Sequence, residues 1–241
     1  MRLELYTYAE RPELRDNPAF QWLHRAWPEF MHHDATVNRN WMRLYSEVPE
    51  FQFFLYAPED DVVLAEGNAI PLGWDGTLHS GGIDWAFEHG LGSEPTTLCA
   101  VQIMIDRREQ GRGLSRLMLD KMRTIAAAHG LDGLIAPVRP TLKHRYPLIP
   151  TDRYMHWRRA DGVPFDPWLR THERMGAELL GPAWESMRIE APVSEWKRWA
   201  EMEFPEPGDY VVADALVPVR IEDDRGIYVE PNIWMRHSVS D

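Results

Sequence analysis

The sequence predicts a mixed α/β (α+β) domain, a central sheet flanked by helices, and three observations predict it. A continuous apolar run from Thr96 to Asp106 has the length and composition of a strand buried on both faces. It leads through Gln110-Gly111-Arg112-Gly113-Leu114-Ser115 into a helical stripe and then a second short buried run, Gly133 to Arg139, an order that implies a crossover between neighbouring parallel strands. Two further apolar runs, Phe51 to Ala57 and Asp61 to Pro71, are separated by Pro58-Glu59-Asp60 and read as a hairpin.

The remaining elements follow in order. Arg2 to Tyr8 alternates apolar and polar residues, the period of a strand, and Pro12 and Pro18 then break the chain. From Ala19 to Tyr45, Phe20, Leu23, Trp27, Phe30, Met31, Trp41, Leu44 and Tyr45 recur at three- and four-residue spacing, which predicts one or two amphipathic helices interrupted near Pro28 or Asp34. Residues 73–95 form a polar, Gly-rich loop too long for a mere connection and so a candidate for binding. After the glycine turn, Leu114, Leu117, Met118, Met122, Ile125 and Ala126 make a helical stripe that stops at His129-Gly130. Residues 140–166, rich in Pro, Arg and aromatics without periodicity, are read as an ordered insertion. Asp166 and Pro167 suit the N-cap and first position of a helix through Trp168, Leu169, His172, Met175 and Ala177. Strands are expected at Glu185 to Glu190, Tyr210 to Ile221 and Gly226 to Trp234, with a short helix around Glu195 to Met202, and no internal repeat is evident.

Composition bounds the function. At 241 residues, 44% hydrophobic and 27% charged, the chain can bury a sizeable core and is read as a single domain over 1–241. A formal net charge of -12 argues against a general nucleic-acid binder. The lone Cys99 allows neither an intrachain disulfide nor a cysteine zinc site, and no apolar run approaches a membrane span, so a cytoplasmic protein without membrane contact is expected. The charge is unevenly placed: Arg107 to Arg174 holds 14 basic and 7 acidic residues, leaving acidic flanks. The basic stretch coincides with the glycine turn, and an anionic ligand is the natural inference.

The turn itself narrows that ligand. Glycines between a strand and a helix let the backbone approach closely and aim several N–H groups one way, where the helix dipole favours an anion such as a pyrophosphate. A P-loop would need GxxxxGK[ST], and a dinucleotide fingerprint would need a third glycine where Arg116 stands. What remains is a (Gln/Arg)-x-x-Gly-x-(Gly/Ala) loop, filled by Gln110, Gly113 and, as a small-residue departure, Ser115. In this loop and in the order of its elements over roughly residues 1–190, the chain resembles the GNAT superfamily of acyl-CoA-dependent N-acyltransferases, with the 140–166 insertion and a β-rich extension over 191–241. The resemblance implies splayed central strands, backbone contacts to the pantetheine arm from Ile103 and Ile105, and pyrophosphate contacts from Gln110, Gly111, Arg112, Gly113, Leu114 and Ser115. It implies acetyl-CoA as co-substrate, no metal, and direct transfer of the acetyl group to a primary amine of a small molecule. The extra C-terminal strands could lengthen the sheet or form a homodimer contact.

Catalytic candidates are drawn from the same alignment. His172 falls where family members often carry a tyrosine that protonates the departing thiolate, although it could equally be a packed helix residue. An ammonium cannot attack a thioester, so a base is also expected. The central strand offers only Gln102 where some relatives carry Glu, leaving Glu66 first, then Asp84 and His79, or a water chain. The cation-aromatic stretch Lys143 to Arg159 is open to three roles: a structural layer, a cofactor or substrate contact, or nucleic-acid stacking. His32-His33-Asp34 lacks a second ligand pair and is read as surface. Of the eleven tryptophans, Trp22, Trp27, Trp41, Trp74 and Trp85 border the expected acceptor side, and some of them are expected to line an apolar acceptor pocket. A different acyl donor, or a non-catalytic CoA-binding or partner-binding module, remains the alternative.

Overall fold

The computed structural model describes residues 2–18 and 27–239. Among them the strands form one mixed nine-stranded sheet, in the order β1-β2-β3-β4-β5-β9-β8-β7, with β6 pairing the other side of β9. The first four strands, β1 (Glu4–Thr7), β2 (Gln52–Ala57), β3 (Val62–Leu72) and β4 (Thr97–Ile105), are antiparallel neighbours. β5 (Gly133–Val138) then lies parallel to β4, as the crossover predicts. The helices are α1 (Ala35–Glu47), α2 (Gly82–His89), α3 (Leu114–Ala128), α4 (Thr151–Tyr154), α5 (Pro167–Arg174) and α6 (Val193–Ala200).

The sheet is covered on both faces. In β2, Phe54 and Tyr56 join one apolar cluster while Phe53, Leu55 and Ala57 join the other, which is why the strand reads as an unbroken apolar run. One cluster draws on residues from α1, α2 and α6, and the second on α3 and α5. Two expectations change. The 73–95 loop contains α2, whose eight residues pack Ile83, Ala86 and Phe87 inward; flanking Gly81 and Gly90 masked its period in the sequence. The stretch after residue 190 is no appendage. β6 (Glu178–Pro192) and β9 (Arg225–Ser238) are long antiparallel partners, and Ile233–Ser238 of β9 pair directly with β5, so the last strand completes the centre of the sheet. The expected 210–221 strand is reduced to β7 (Gly208–Tyr210) and β8 (Val219–Glu222). Residues 19–26 of the expected first helix, Trp22 included, lie outside the described residues; beyond them, Glu29–His33 form a 3-10 turn before α1.

The insertion is a small aromatic core. Tyr146, Tyr154, Trp157 and Phe165 pack with ring centroids 4.9–6.2 Å apart. Asp166 caps α5 through the Trp168 and Leu169 amides and also accepts from the Leu142 amide and the Tyr154 hydroxyl. Lys143, fully buried, donates to the carbonyls of Tyr146 and Leu216, and burial pushes its ammonium down to about 8. Of the three roles open to Lys143–Arg159, these contacts account for the structural one.

Candidate active site

β4 and β5 are paired only at Leu98–Leu134 and Cys99–Ile135, although both strands continue beyond these residues. The cause lies on the opposite edge of β4. Asn68 of β3 faces Gln102 while Ala69 faces Ala100, so Val101 is an extra residue, a bulge that bends β4 away from β5 just past their last pair. The gap opens into a cleft of about 670 Å³. Ala100–Ile105 form one wall, Ala136–Arg139 the other, and Gln110, Gly111, Gly113, Leu114 and Ser115 close one end. Ile103 and Ile105 line the cleft; among the loop residues Arg112 lies outside the lining and pairs with Glu109.

The glycine turn leaves its backbone open to the cleft. Gly111 and Gly113 have φ of +79° and +80°, a conformation that L side chains rarely adopt, and a Cβ at either would meet nothing within 4 Å. Gly113 is the N-cap of the 15-residue α3 and supplies no capping side chain, leaving the helix's first amides to whatever binds there. Exposed Arg107, Arg108, Arg112 and Arg116 surround the turn.

The other end is aromatic and apolar. Trp27, Met31, Trp41, Ile83 and Phe87 line it, with His32, Asn38 and Met187. Of the four described tryptophans expected beside an acceptor, Trp27 and Trp41 line the cleft, whereas Trp74 and Trp85 lie outside the lining: Trp74 donates to the Thr77 carbonyl and Trp85 stacks on His79. Sequence reasoning missed Arg139 and Glu230 here. Glu230 is fully buried on β9 and receives Arg139 Nε at 2.9 and 3.1 Å, the Tyr228 hydroxyl at 2.9 Å and Asn232 Nδ2 at 3.1 Å. The signal available was an acid in an otherwise apolar strand, the same signal that singled out Glu66.

The three catalytic candidates are placed differently. His172 of α5 borders the cleft and is 1% exposed, with Nδ1 2.8 Å from Nε2 of His237 and its own Nε2 without a partner. Burial, then the neighbouring His237, pushes its imidazolium down to about 3, so it is neutral at pH 7. Glu66 is fully buried on β3 and outside the cleft lining, where burial raises its carboxyl to about 7 against the lowering hydrogen bonds from Tyr45 and Asn68. It reaches the cleft only through Gln102, whose Nε2 donates to Glu66 Oε2 at 3.2 Å. Asp84, in the first turn of α2 rather than in a loop, lies outside the cleft lining beside Asp34. Burial and that second carboxylate push its carboxyl up, and the Arg188 amide donates to both groups, at 3.1 and 3.2 Å. Asp34 is thus a buried N-cap of α1 and not the surface residue expected, and His79 is removed from the cleft by its stacking on Trp85. No group of three or more metal-ligating side chains occurs among the described residues.

Comparison with known proteins agrees with this geometry. No protein-family model matches the chain. The arginine N-acetyltransferase avaD of Aspergillus versicolor is 28% identical, over 98% of this chain and 93% of its own length. Among solved structures, the loading GNATL domain of CurA from Lyngbya majuscula superposes with a TM-score of 0.66 at 16% identity, covering 99% of this chain and 98% of that one. The GphF GNAT-like decarboxylase, solved with isobutyryl-CoA, gives 0.61 at 16% identity over 99% and 100% of the two chains. With the glycine turn, the splayed β4 and β5 and the element order all in place, these likenesses support a GNAT superfamily acyltransferase.

Proposed function

We propose that the chain transfers an acetyl group from acetyl-CoA to a primary amine of a small molecule by direct attack. The observation that carries the reading is a single cleft whose lining takes in the glycine turn, the length of β4 left unpaired on its β5 side, and aromatic side chains. The avaD relative, an arginine N-acetyltransferase, supports the acetyl donor and the amine acceptor. In this reading the pyrophosphate sits on the amides from Gly111 to Ser115, and the pantetheine arm pairs with the backbone of Ile103 and Ile105, filling the place β5 has left. The amine, packed against Trp27 and Trp41 and having given its ammonium proton to water, attacks the thioester carbon.

The steps then balance within the cleft. A C–N bond forms, the carbonyl oxygen gains negative charge opposite the β4 amides, and the C–S bond breaks as the oxyanion collapses. The ammonium proton of the tetrahedral intermediate is the one the leaving thiolate takes. A neutral imidazole is a weak acid, so the part proposed for His172 is contact between its unpartnered Nε2 and the leaving thiol. Glu66 has the acidity of a general base but does not touch the amine, and its contribution runs through Gln102. Asp84 is outside the lining and is proposed only to support the acceptor wall through α2. The test is thiol release from acetyl-CoA with arginine and a panel of other primary amines, with the product's mass recorded. Amine-dependent release with an N-acetylated product is expected; acetyl-CoA hydrolysis alone, or no stabilisation of the protein by any acyl-CoA, would overturn the reading.

A further inference from the structure

Three amide side chains stand in register across three neighbouring strands: Gln52 on β2 opposite Asn68 on β3, and Asn68 opposite Gln102 on β4. Their orientation starts at the backbone. Gln52, fully buried, donates through Nε2 to the Val48 and Ala69 carbonyls at 3.0 and 2.9 Å, while its Oε1 accepts from the Ala69 amide at 3.2 Å. Carbonyls only accept and an amide only donates, so Gln52 cannot exchange its nitrogen and oxygen. Asn68 must therefore answer Gln52 Oε1 with Nδ2, at 3.2 Å, and that nitrogen also lies 3.1 Å from Glu66 and 3.0 Å from the Tyr45 hydroxyl. This turns Asn68 Oδ1 toward β4. Gln102 answers with Nε2 at 2.8 Å, and the same nitrogen donates to Glu66 Oε2 at 3.2 Å.

Both Gln102 N–H groups are thereby used within this network. What remains is Oε1, on a residue that lines the cleft, where Trp27 Nε1 donates to it at 3.3 Å. We infer that Gln102 is the positioning residue for the acceptor: its Oε1 takes an N–H of the attacking amine, and the buried Gln52–Asn68–Gln102 relay keeps that oxygen, never the nitrogen, toward the cleft. A neutral carbonyl oxygen cannot remove a proton, but by holding one N–H it leaves the amine's lone pair to be aimed at the thioester. The same oxygen selects for acceptors that still carry an N–H beside the attacking lone pair. This rests on the function proposed above.

The test compares Gln102→Met with Gln102→Glu, using acetyl-CoA and arginine as the probe acceptor. Both variants lose the Nε2 donors, but only Glu keeps an oxygen toward the cleft, its carboxyl sharing a proton with Glu66 so that an O–H replaces an N–H. For Gln102→Met, KM for arginine should rise about two- to tenfold, the worth of one hydrogen bond, while acetyl-CoA affinity by calorimetry stays within about twofold. Gln102→Glu should stay within about twofold of the wild-type KM. Equal losses in both variants, with the melting temperature falling in parallel, would mean a structural role and overturn the inference. So would an unchanged KM in Gln102→Met. Should the Met variant not fold, Asn68→Leu combined with Gln102→Met removes the orphaned oxygen along with its donor, and the same split is expected. A wild-type protein that shows no amine-dependent thiol release overturns both this inference and the function; a wild type that turns over beside an unaltered Gln102→Met overturns the inference alone.

Discussion

Replacing Gly113 with alanine should separate the glycine turn's ligand from its backbone strain, because the same helix carries its own control. Gly113 at the start of α3 and Gly130 just beyond its end have φ of +80° and +68°, and a Cβ at either meets nothing within 4 Å. Gly113→Ala and Gly130→Ala therefore carry the same cost, about 1–2 kcal/mol for an L residue held in the left-handed region. For a chain of 241 residues each kcal/mol lowers the melting temperature by about 2–4 °C, so the two variants should melt at similar, slightly reduced temperatures. Their ligand affinities should diverge. Gly113 lines the cleft and Gly130 does not. A methyl group on the cleft-lining turn crowds the close approach of the pyrophosphate to the amides and forfeits at least one charge-assisted hydrogen bond, about 1.5–3 kcal/mol, or about ten- to a hundredfold in the Kd for CoA. Calorimetric titration of both variants with CoA, beside their thermal melts, is the assay. Equal Kd values in the two variants would refute the placement of the pyrophosphate on this turn.

Three further outcomes follow from the structure. Trp41→Ala, which removes an aromatic wall that packs on Phe87, should raise KM for the amine about tenfold in steady-state assays and leave acetyl-CoA affinity unchanged. His172→Phe should reduce kcat with little change in acetyl-CoA affinity; unchanged kcat would remove His172 from the reaction. The same variant has a signature in stability. The pKa values of His172 and His237 are lowered from 6.5 to about 3 and about 4, which leaves stability intact above pH 6.5 and withdraws it as the pH falls toward 3–4. Urea titrations should show that acid-side loss weakened in His172→Phe. Glu66 acts in the opposite sense: its carboxyl, raised from 4.5 to about 7, favours the folded state below pH 4.5 and loses about 3 kcal/mol of that advantage as the pH rises through 7. Glu66→Gln should abolish that slope, and an unaltered slope would contradict the buried placement.

The sheet was legible where burial is two-sided. Phe51 to Ala57 and Thr96 to Asp106 contact apolar layers above and below, so their runs are unbroken, and the glycine turn announces itself because a positive φ demands glycine. The helix α2 was not legible, since its short apolar face lies between Gly81 and Gly90, residues that on their own read as loop. The centrality of β9 was hidden for a different reason: its pairing with β5 joins residues about a hundred positions apart, and strand order is a property of contacts that no local period records. In the site, residue types were more legible than geometry. An acid on an apolar strand singled out Glu66, but its contact with Gln102 depends on cross-strand register, and the lowered pKa of His172 comes first from burial and then from His237, 65 positions away, neither of which a local pattern records. Arg139 and Glu230 meet only because β5 and β9 are neighbours, so neither position marks the other in the sequence.

The central claim is that one cleft brings an acyl-CoA thioester to an amine, and amine-dependent release of CoA tests it most directly. With saturating acetyl-CoA, the wild-type protein should liberate thiol at a rate that rises and saturates with arginine or another primary amine, the product carrying one added acetyl group on nitrogen. Thiol release independent of every amine, or no release from a protein that acetyl-CoA fails to stabilise, would contradict the account.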